Sequence, residues 1–465
     1  HLYFFGLVEY RPPESGEVAE LIAKGHHARA YQLLGRINTD DLSPEETVQH
    51  QLQLALCEQQ IGKPERAHAH LRDLPGQLPL LEEYRRFWMA QALEDMDQTE
   101  TAISSYQHFL ANAENELLLR SARQHLAALY METDRHRPAI ELYKEQLADA
   151  YWAPRGLYSI ARAHIEAGER EAARQRFVQL MEDYPKTDQA LKVAIEIKGP
   201  LNARQAFAVA STYHAHKRYA DAKKRFQRFI KKYPRDQRVA DAHYLLASSQ
   251  LGVGQYETAI QTFEKTHEQY GLPSALYRIG GIHVRRNREA KAIAAYELFA
   301  SRFPQHELAD DALWQAAKSA ERNNHFAEAE RLYRLLVDNH PESSYRDEAG
   351  WSIGFTYYCR GEFDSALLVF KRLIDMAQQP HIIDQSLYWA GKVAAELGRS
   401  VESQSYYRRA ANGFPRSYYS TRAVKLGYSD PGTLARPAEL MLSALSLEDI
   451  EGSDCLRRGD ALYSL

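Results

Sequence analysis

Small and large apolar residues recur along the chain four positions apart, within a longer repeat of about 37 residues. Segments beginning at residues 219, 256, 289, 326, 363 and 400 align with one another, so successive starts differ by 37, 33, 37, 37 and 37. A spacing of four places the small and the large residue on one face of an α-helix. The pairs are Ala30/Leu34, Ala67/Leu71, Ala102/Tyr106, Ala139/Tyr143, Ala173/Phe177, Ala222/Phe226, Ala259/Phe263, Ala292/Tyr296, Ala329/Tyr333, Ala366/Phe370 and Ser403/Tyr407.

A second helix is predicted upstream of these pairs, because another small residue lies twelve positions before the small residue of the pair. These positions hold only Ala or Gly: Ala55, Ala90, Ala127, Ala161, Ala210, Ala247, Gly280, Ala317, Gly354 and Gly391. An aromatic residue usually lies three positions earlier still, as in Trp314 and Tyr388. Two helices joined by a short polar break form a hairpin, and a proline often closes the unit.

The hairpin resembles the tetratricopeptide repeat in its period and in the Ala and Phe/Tyr of its second helix. Ile353, Gly354 and Tyr357 also fit the pattern of that family's first helix. The first-helix aromatic is displaced by one position, which is more similar to the repeats of bacterial envelope proteins. Because stacked hairpins bury the apolar faces that a single hairpin leaves exposed, we predict an all-α fold. The expected architecture is a right-handed superhelical α-solenoid of about 11 TPR-like helical hairpins.

The period is interrupted once, which predicts the domain organisation. The copies that begin at residues 170 and 219 lie 49 residues apart, and Gly199-Pro200 falls in the extra segment. Proline restricts the residue before it and ends helices, so we interpret this region as a lengthened helix followed by a kink. The predicted segments are an N-terminal solenoid over 1–198, a C-terminal solenoid over 199–428, and a linker with the start of a further helical region over 429–465.

Charge and cysteine content exclude several classes of protein. The 58 Lys and Arg residues nearly balance the 62 Asp and Glu residues, so no global attraction to nucleic acid or to an anionic membrane is expected. The three cysteines are far apart and form no CxxC pair, which excludes a zinc ribbon and a disulfide framework. The apolar start HLYFFGLVEY is too short to cross a bilayer. It is either the tail of an export or anchor segment or an expression remnant, so membrane association is expected only through a preceding segment.

The sequence contains no phosphate-binding glycine loop, no GxSxG and no HExxH, so no catalytic, metal or cofactor site is predicted. Two surfaces are candidates for partner binding. The first is the aromatic column Tyr244, Tyr277, Trp314, Trp351 and Tyr388, which is either inter-repeat core or a partly exposed groove that stacks on a sugar or holds a peptide.

The second candidate is a basic patch within residues 217–238, a stretch with ten Lys or Arg residues. Its members are Lys223, Lys224, Arg228, Lys231 and Lys232. The patch is either a solvated helix face or a docking site for an acidic partner or an anionic polymer. Nucleic acid is not favoured as a partner, because the aromatic residues of this stretch follow core spacing.

Residues 387–428 carry a second resemblance. Tyr388, Trp389, Gly391, Gly398, Tyr407, Pro415, Ser417, Tyr418 and Tyr419 are similar to the end of the superhelical region in soluble lytic murein transglycosylases. That resemblance implies a periplasmic enzyme that cleaves peptidoglycan without water, through a lysozyme-like domain with one Glu as general acid and then base. The three Glu-Ser pairs, which begin at Glu14, Glu342 and Glu402, lack the Gly-Leu-Met-Gln segment that follows in the family. No catalytic residue is therefore transferred.

The sequence leads to one functional hypothesis and two alternatives. The chain is expected to be a scaffold for protein partners, and for peptidoglycan, as the non-catalytic part of a periplasmic lytic transglycosylase in cell-wall turnover. One alternative is a stand-alone cell-envelope adaptor of the outer-membrane assembly or Tol-Pal accessory type. The other is a cytoplasmic tetratricopeptide scaffold.

Overall fold

The computed structural model describes residues 13–74, 79–414 and 417–428. Within these ranges the regular elements are 24 α-helices and two 3-10 turns, with no β-strand. The described residues form two compact units that meet in sequence at Arg218 and Tyr219. The predicted boundary between residues 198 and 199 was drawn from the phase of the repeat and stays a prediction. The predicted segment 429–465 lies outside the described residues.

The first unit contains twelve described helices. They are α1 (Pro13–Ala23), α2 (His27–Leu34), α3 (Pro44–Gln60), α4 (Pro64–Arg72), α5 (Pro79–Asp95), α6 (Thr99–Asn112), α7 (Glu116–Glu132), α8 (His136–Glu145), α9 (Ala153–Glu166), α10 (Arg170–Asp183), α11 (Asp188–Glu196) and α12 (Ala203–Ala215). Each helix packs on the next one in sequence, as stacked hairpins require.

The second unit also contains twelve described helices, and they pack in the same sequential order. They are α13 (Tyr219–Lys232), α14 (Val239–Gly252), α15 (Tyr256–Tyr270), α16 (Pro273–Arg285), α17 (Glu289–Arg302), α18 (Ala309–Arg322), α19 (Phe326–Asn339), α20 (Arg346–Cys359), α21 (Phe363–Met376), α22 (Pro380–Glu396), α23 (Ser400–Gly413) and α24 (Tyr418–Lys425). The chain is thus an all-α solenoid of helical hairpins, which confirms the predicted fold class.

The predicted contact between the small residue of the first helix and the aromatic residue of the second holds each hairpin together. A Cβ added at Gly280 would lie 2.7 Å from Tyr296 Cε1, and one added at Gly354 would lie 2.7 Å from Phe370 Cε1. Both aromatic side chains are buried. The small residue is needed because the ring occupies the space that a larger side chain would fill.

The break between the two helices of a hairpin is a tight turn with one residue in the left-handed region. Gly361 has φ 77° between α20 and α21, and Asn287 has φ 52° between α16 and α17. Glycine adopts this conformation without strain, and asparagine tolerates it better than most residues. The polar breaks that the sequence suggested are therefore helix-terminating turns.

The interruption of the period differs from the prediction. A lengthened helix was expected, but α10 ends at Asp183 and a separate helix, α11, begins at Asp188. Thr187 caps α11 by accepting a hydrogen bond from the Ala190 backbone N–H. A side-chain cap of this kind starts a new helix. The lengthened helix was therefore wrong, and the extra residues form a short helix of their own.

Candidate functional site

The five aromatic residues of the predicted column differ in exposure. Trp351 and Tyr388 are buried, with 1% and 8% of their surface exposed. Tyr244, Tyr277 and Trp314 are half-buried, although they pack against the core of the second unit. A buried ring is not available to stack on a ligand, so only these three residues offer a surface to a partner. We call Tyr244, Tyr277 and Trp314 the aromatic row.

The first member of the aromatic row is linked to the next hairpin through an arginine. Arg278 Nε on α16 donates a hydrogen bond to Tyr244 Oη on α14 at 3.1 Å. The ring of Tyr244 packs edge-on against Phe263, with 5.3 Å between centroids. The hydrogen bond to Tyr244 raises the pKa of the exposed Arg278 guanidinium. Arg278 is therefore held in place as a permanent cation beside the row.

The second member, Tyr277, is linked through a carboxylate to Tyr345, the residue on which Trp314 stacks. Tyr277 Oη on α16 and Tyr345 Oη, just before α20, donate to different oxygens of Asp311 on α18, the latter over 3.0 Å. Burial raises the pKa of Tyr345 to about 12, with the hydrogen bond to Asp311 as the next cause. Burial also raises the pKa of Tyr277. Both phenols thus stay protonated and keep donating to Asp311 at neutral pH.

Trp314 is fixed from both sides. Its ring stacks on Tyr345, with 5.1 Å between centroids and 13° between planes, and it packs at 5.5 Å against Tyr333. Lys318 Nζ lies 5.6 Å from the centroid of the indole and 3.0 Å from Glu321 Oε1. Glu321 is almost fully buried and also accepts from Tyr333 Oη. The half-buried indole consequently has little freedom to change rotamer.

The last two members of the column lie in a closed part of the second unit. Trp389 on α22 contacts Trp351, Phe355 and Tyr358 of α20, with centroid distances of 6.0, 5.3 and 5.1 Å. We call these four residues the aromatic cluster. Helices α20 and α22 pack directly on one another there. The first-helix face that carries the aromatic row in α14 to α18 is thus occupied in α20 and α22 by the protein's own side chains.

The residues that resemble the transglycosylase family lie beside this cluster. Tyr388 contacts Tyr407 and Tyr419 at 5.5 and 5.4 Å, and Tyr407 stacks on Tyr428 at 4.9 Å. Ser417 caps α24 by accepting from the Ser420 backbone N–H. Pro415, which belongs to the same motif, lies outside the described residues. The described part of the motif therefore packs α24 onto α22 and α23.

The basic patch follows one helix, α13. Lys224, Arg228, Lys231 and Lys232 are exposed, whereas Lys223 is half-buried and donates to Oε1 of Gln255, the residue before α15, at 3.1 Å. Residues 224, 228 and 231 lie on one helix face because their spacing follows the helical period. A solvated face and a docking site for an acidic partner both remain predictions for this patch.

Sequence reasoning missed the polar residues that connect the aromatic row. The pairs Tyr244 with Arg278, Tyr277 with Asp311, and Asp311 with Tyr345 are each separated by 34 positions. A search for hydrogen-bonding partners one repeat apart would have found them. The aromatic cluster also had a sequence signal, because Trp351, Phe355 and Tyr358 are spaced so that they lie on one face of α20.

Among the described residues, no group of three or more His, Cys, Asp or Glu side chains is placed to bind a metal ion. None of the described helices combines the length and the apolar character that crossing a membrane requires.

Comparison with protein families identifies the repeat. Models described as tetratricopeptide repeat match residues 155–187, 207–270, 244–307 and 311–343. The chain therefore carries tetratricopeptide repeats, a scaffold typical of protein–protein interaction. A direct comparison with curated proteins gives no match. Nothing in these comparisons links the chain to a lytic murein transglycosylase.

Solved structures with similar folds include other repeat proteins. MamA is 21% identical, with 38% of this chain and 97% of that chain covered and a TM-score of 0.32. Yeast Tom70 is 12% identical, with 83% and 96% covered and a TM-score of 0.30. YrrB, a TPR protein with an unusual peptide-binding site, is 18% identical, with 43% and 97% covered and a TM-score of 0.32. Similarities at this level carry no inference about binding.

Proposed function

We propose that this chain, a scaffold of tetratricopeptide repeats, binds an extended segment of a partner protein along the aromatic row of its second unit. The observation that carries the proposal is that Tyr244, Tyr277 and Trp314 lie half-buried on three consecutive first helices. The two tyrosines are held by hydrogen bonds with Arg278 and Asp311, and the indole is held by stacking on Tyr345. An extended peptide crosses such successive helices and meets one aromatic ring per repeat.

The row is composed of the residue types that contribute most to protein interfaces. Tyr, Trp and Arg are enriched among residues whose truncation weakens binding strongly. Here their side chains are already immobilised by contacts with Phe263, Asp311 and Tyr345. Binding therefore costs less side-chain entropy than it would for mobile residues.

Charge favours a partner with carboxylates. Both oxygens of Asp311 accept from tyrosines, while the guanidinium of Arg278 is exposed and uses Nε to bind Tyr244. A guanidinium held in this way can present its remaining N–H groups to a carboxylate in a bidentate contact. The exposed cations of α13 in the same unit have the same sign. We therefore assign the partner segment as extended, acidic and interspersed with aromatic or aliphatic residues.

The test compares fluorescence anisotropy of two labelled peptide libraries, one with Asp or Glu between apolar positions and one with Lys at the same places. Only the acidic library is expected to bind. Trp314→Ala should weaken binding about tenfold or more, because it removes a central aromatic contact. Tyr244→Phe should weaken it about fivefold, because Arg278 loses the hydrogen bond that positions it.

A matched control removes an exposed apolar side chain that is not part of the row. Leu298 on α17 is 44% exposed, and Leu298→Ala should leave peptide affinity within about twofold. Equal binding of the acidic and basic libraries, or full affinity in Trp314→Ala, would show that the aromatic row is not the binding site.

We also propose a cellular setting for the scaffold. On the resemblance of residues 387–428 we place the scaffold in the bacterial cell envelope, as the non-catalytic part of a murein-cleaving enzyme. A stand-alone envelope adaptor is the alternative. The intact mass of the native polypeptide separates them: a mass about 15–25 kDa above this chain leaves room for one more domain, and a mass near 53.3 kDa favours the adaptor. Retention of the protein on purified murein at low salt tests the glycan contact.

A further inference from the structure

A cleft in the first unit, remote in sequence from the aromatic row, has the features of a ligand site. It is lined by residues of α2, α3 and α4 and has a volume of about 670 Å³. Small-molecule sites in proteins commonly fall between roughly 300 and 1,000 Å³. The lining combines apolar groups, such as Leu54 and Ala69, with Tyr31 and several titratable side chains.

A buried carboxylate lies in the lining of the cleft. Glu58 is 1% exposed, and its Oε2 lies 2.7 Å from His70 Nδ1. This contact holds the imidazole ring in one orientation against the carboxyl group of Glu58. Nε2 of the half-buried His70 makes no hydrogen bond to a described residue. The imidazole is therefore oriented by Glu58 while its second nitrogen stays available.

The edge of the cleft is basic. Arg66 Nη1 donates to Tyr31 Oη at 3.3 Å, and Lys63 Nζ lies 4.3 Å above the Tyr31 ring. Arg36, also part of the lining, is exposed and forms no ion pair with a described residue. The lining thus contains two arginines and one buried carboxyl group, and that group is already in contact with His70. The remaining positive charge has no counterpart in the lining.

We propose that this cleft binds a small molecule that carries a phosphate group. Arg36 and Arg66 supply N–H donors in the planar arrangement that suits phosphate oxygens, and His70, held by Glu58, lies in the same lining. Tyr31, Leu54 and Ala69 contact the organic part of the ligand. Two guanidinium groups in one lining match a dianionic phosphate better than a singly charged carboxylate. The site uses residues of α2, α3 and α4 and Arg36 just after α2, all in the first unit, whereas the aromatic row belongs to the second unit.

Isothermal titration of the full chain with phenyl phosphate tests the proposal, with benzoate as the carboxylate probe and orthophosphate as the anion without an organic part. Phenyl phosphate is expected to bind with a Kd of about 10–500 μM and orthophosphate more weakly. Benzoate should bind at least about tenfold more weakly than phenyl phosphate. Benzoate binding as tight as phenyl phosphate, or the absence of heat with phenyl phosphate, would overturn the assignment.

Variants then locate the site. Arg36→Ala and Arg66→Ala should each weaken phenyl phosphate binding about tenfold. The matched control is Arg29→Ala on α2, because Arg29 is not part of the lining and lies 3.6 Å from Glu17. An equal loss in Arg29→Ala would mean that only the general charge of α2 attracts the ligand, which contradicts a built site.

A readout independent of affinity is the NMR spectrum of the His70 ring. Phenyl phosphate should shift the His70 Nε2 resonance in the wild-type chain and leave it unchanged in the Arg36→Ala, Arg66→Ala double variant. Circular dichroism checks that the double variant keeps its helices. A shift of other histidines without His70 would place the ligand elsewhere and refute the proposal.

Discussion

Two regions of the second unit carry the same aromatic position and use it differently. In α18, Trp314 is half-buried, whereas Trp351 at the corresponding position of α20 is 1% exposed. The difference comes from neighbouring positions. The residue after the small core residue is Lys318 in α18 but Phe355 in α20. Phe355 stacks on Trp351 and meets Trp389 of the next hairpin. An aromatic residue becomes core when its neighbours on the same helix face are aromatic as well.

The aromatic cluster contributes mainly to the stability of the fold, whereas the aromatic row keeps part of each ring accessible to a partner. The aromatic cluster removes three large rings, Trp351, Phe355 and Trp389, almost completely from water. Each contributes a large buried area as well as favourable ring contacts. The aromatic row gains less burial, because its rings are only half-buried. Hydrogen bonds with Arg278 and Asp311 hold its two tyrosines, and stacking on Tyr345 holds Trp314. One region therefore stabilises the solenoid, and the other presents an ordered surface.

The largest predicted loss of stability comes from a substitution in the aromatic cluster. Trp389→Ala should lower the free energy of unfolding by about 3–5 kcal/mol, because it leaves a cavity among buried rings. Trp314→Ala should cost only about 1–2 kcal/mol, because part of that indole already contacts water. Guanidinium unfolding followed by circular dichroism measures both. Equal costs for the two variants would show that the exposed and closed regions do not differ in packing.

The sequence predicted the repeat because its signal is local and periodic. The pair Ala329/Tyr333 identifies one helix face, and Ala317 twelve positions earlier identifies the helix packed against it. The exposure of the column could not be predicted in the same way. Whether Trp351 is buried depends on Trp389, a residue of another hairpin, and a period within one hairpin carries no information about that contact.

The hydrogen-bonding residues beside the aromatic row could not be predicted from the sequence for a related reason. Asp311 bonds to Tyr277 and Tyr345, each one repeat away, so no short motif contains the set. The separate helix α11 was missed because Thr187, its cap, looks like any other polar residue unless a helix is expected to begin there.

A second prediction concerns the pH dependence of stability, through a buried carboxyl group on α22. Asp384 on α22 is 3% exposed, and its Oδ1 has no hydrogen-bond partner among the described residues. Burial raises the pKa of Asp384 to about 6, and a hydrogen bond from Ser417 offsets part of the rise. In the unfolded chain an aspartate has a pKa of about 3.9. The folded state thus holds a proton that the unfolded state has already released between these two values.

Stability should therefore fall as pH rises from about 4 to about 6, and stay lower above that range. Asp384→Asn removes the titrating group. At pH 7.5 the variant should exceed the wild-type chain in free energy of unfolding by about 2–3 kcal/mol, and the difference should vanish near pH 4. Unfolding curves at the two pH values measure it. A variant that is less stable at both would mean that the ionised carboxylate has a favourable partner.

The smallest predicted change in the free energy of unfolding comes from substitutions at two adjacent glycines on α16. A Cβ at Gly280 would lie 2.7 Å from Tyr296 Cε1, inside the hairpin, whereas at Gly281 the nearest atom is Tyr296 Oη at 3.4 Å. Gly281 occupies the position that Lys318 holds in α18 and Phe355 in α20. It is half-buried, so the exposed region has spare room there.

Gly280→Ala should lower the free energy of unfolding by about 1–2 kcal/mol, because overpacking outweighs the gain in helix propensity. Gly281→Ala should raise it by up to about 1 kcal/mol, because the propensity gain meets little steric resistance. Thermal unfolding of the two variants side by side decides the sign of each. If Gly281→Ala is as destabilising as Gly280→Ala, then the face that carries the aromatic row is packed as tightly as the face that carries the cluster, and the distinction between an available and a closed region fails.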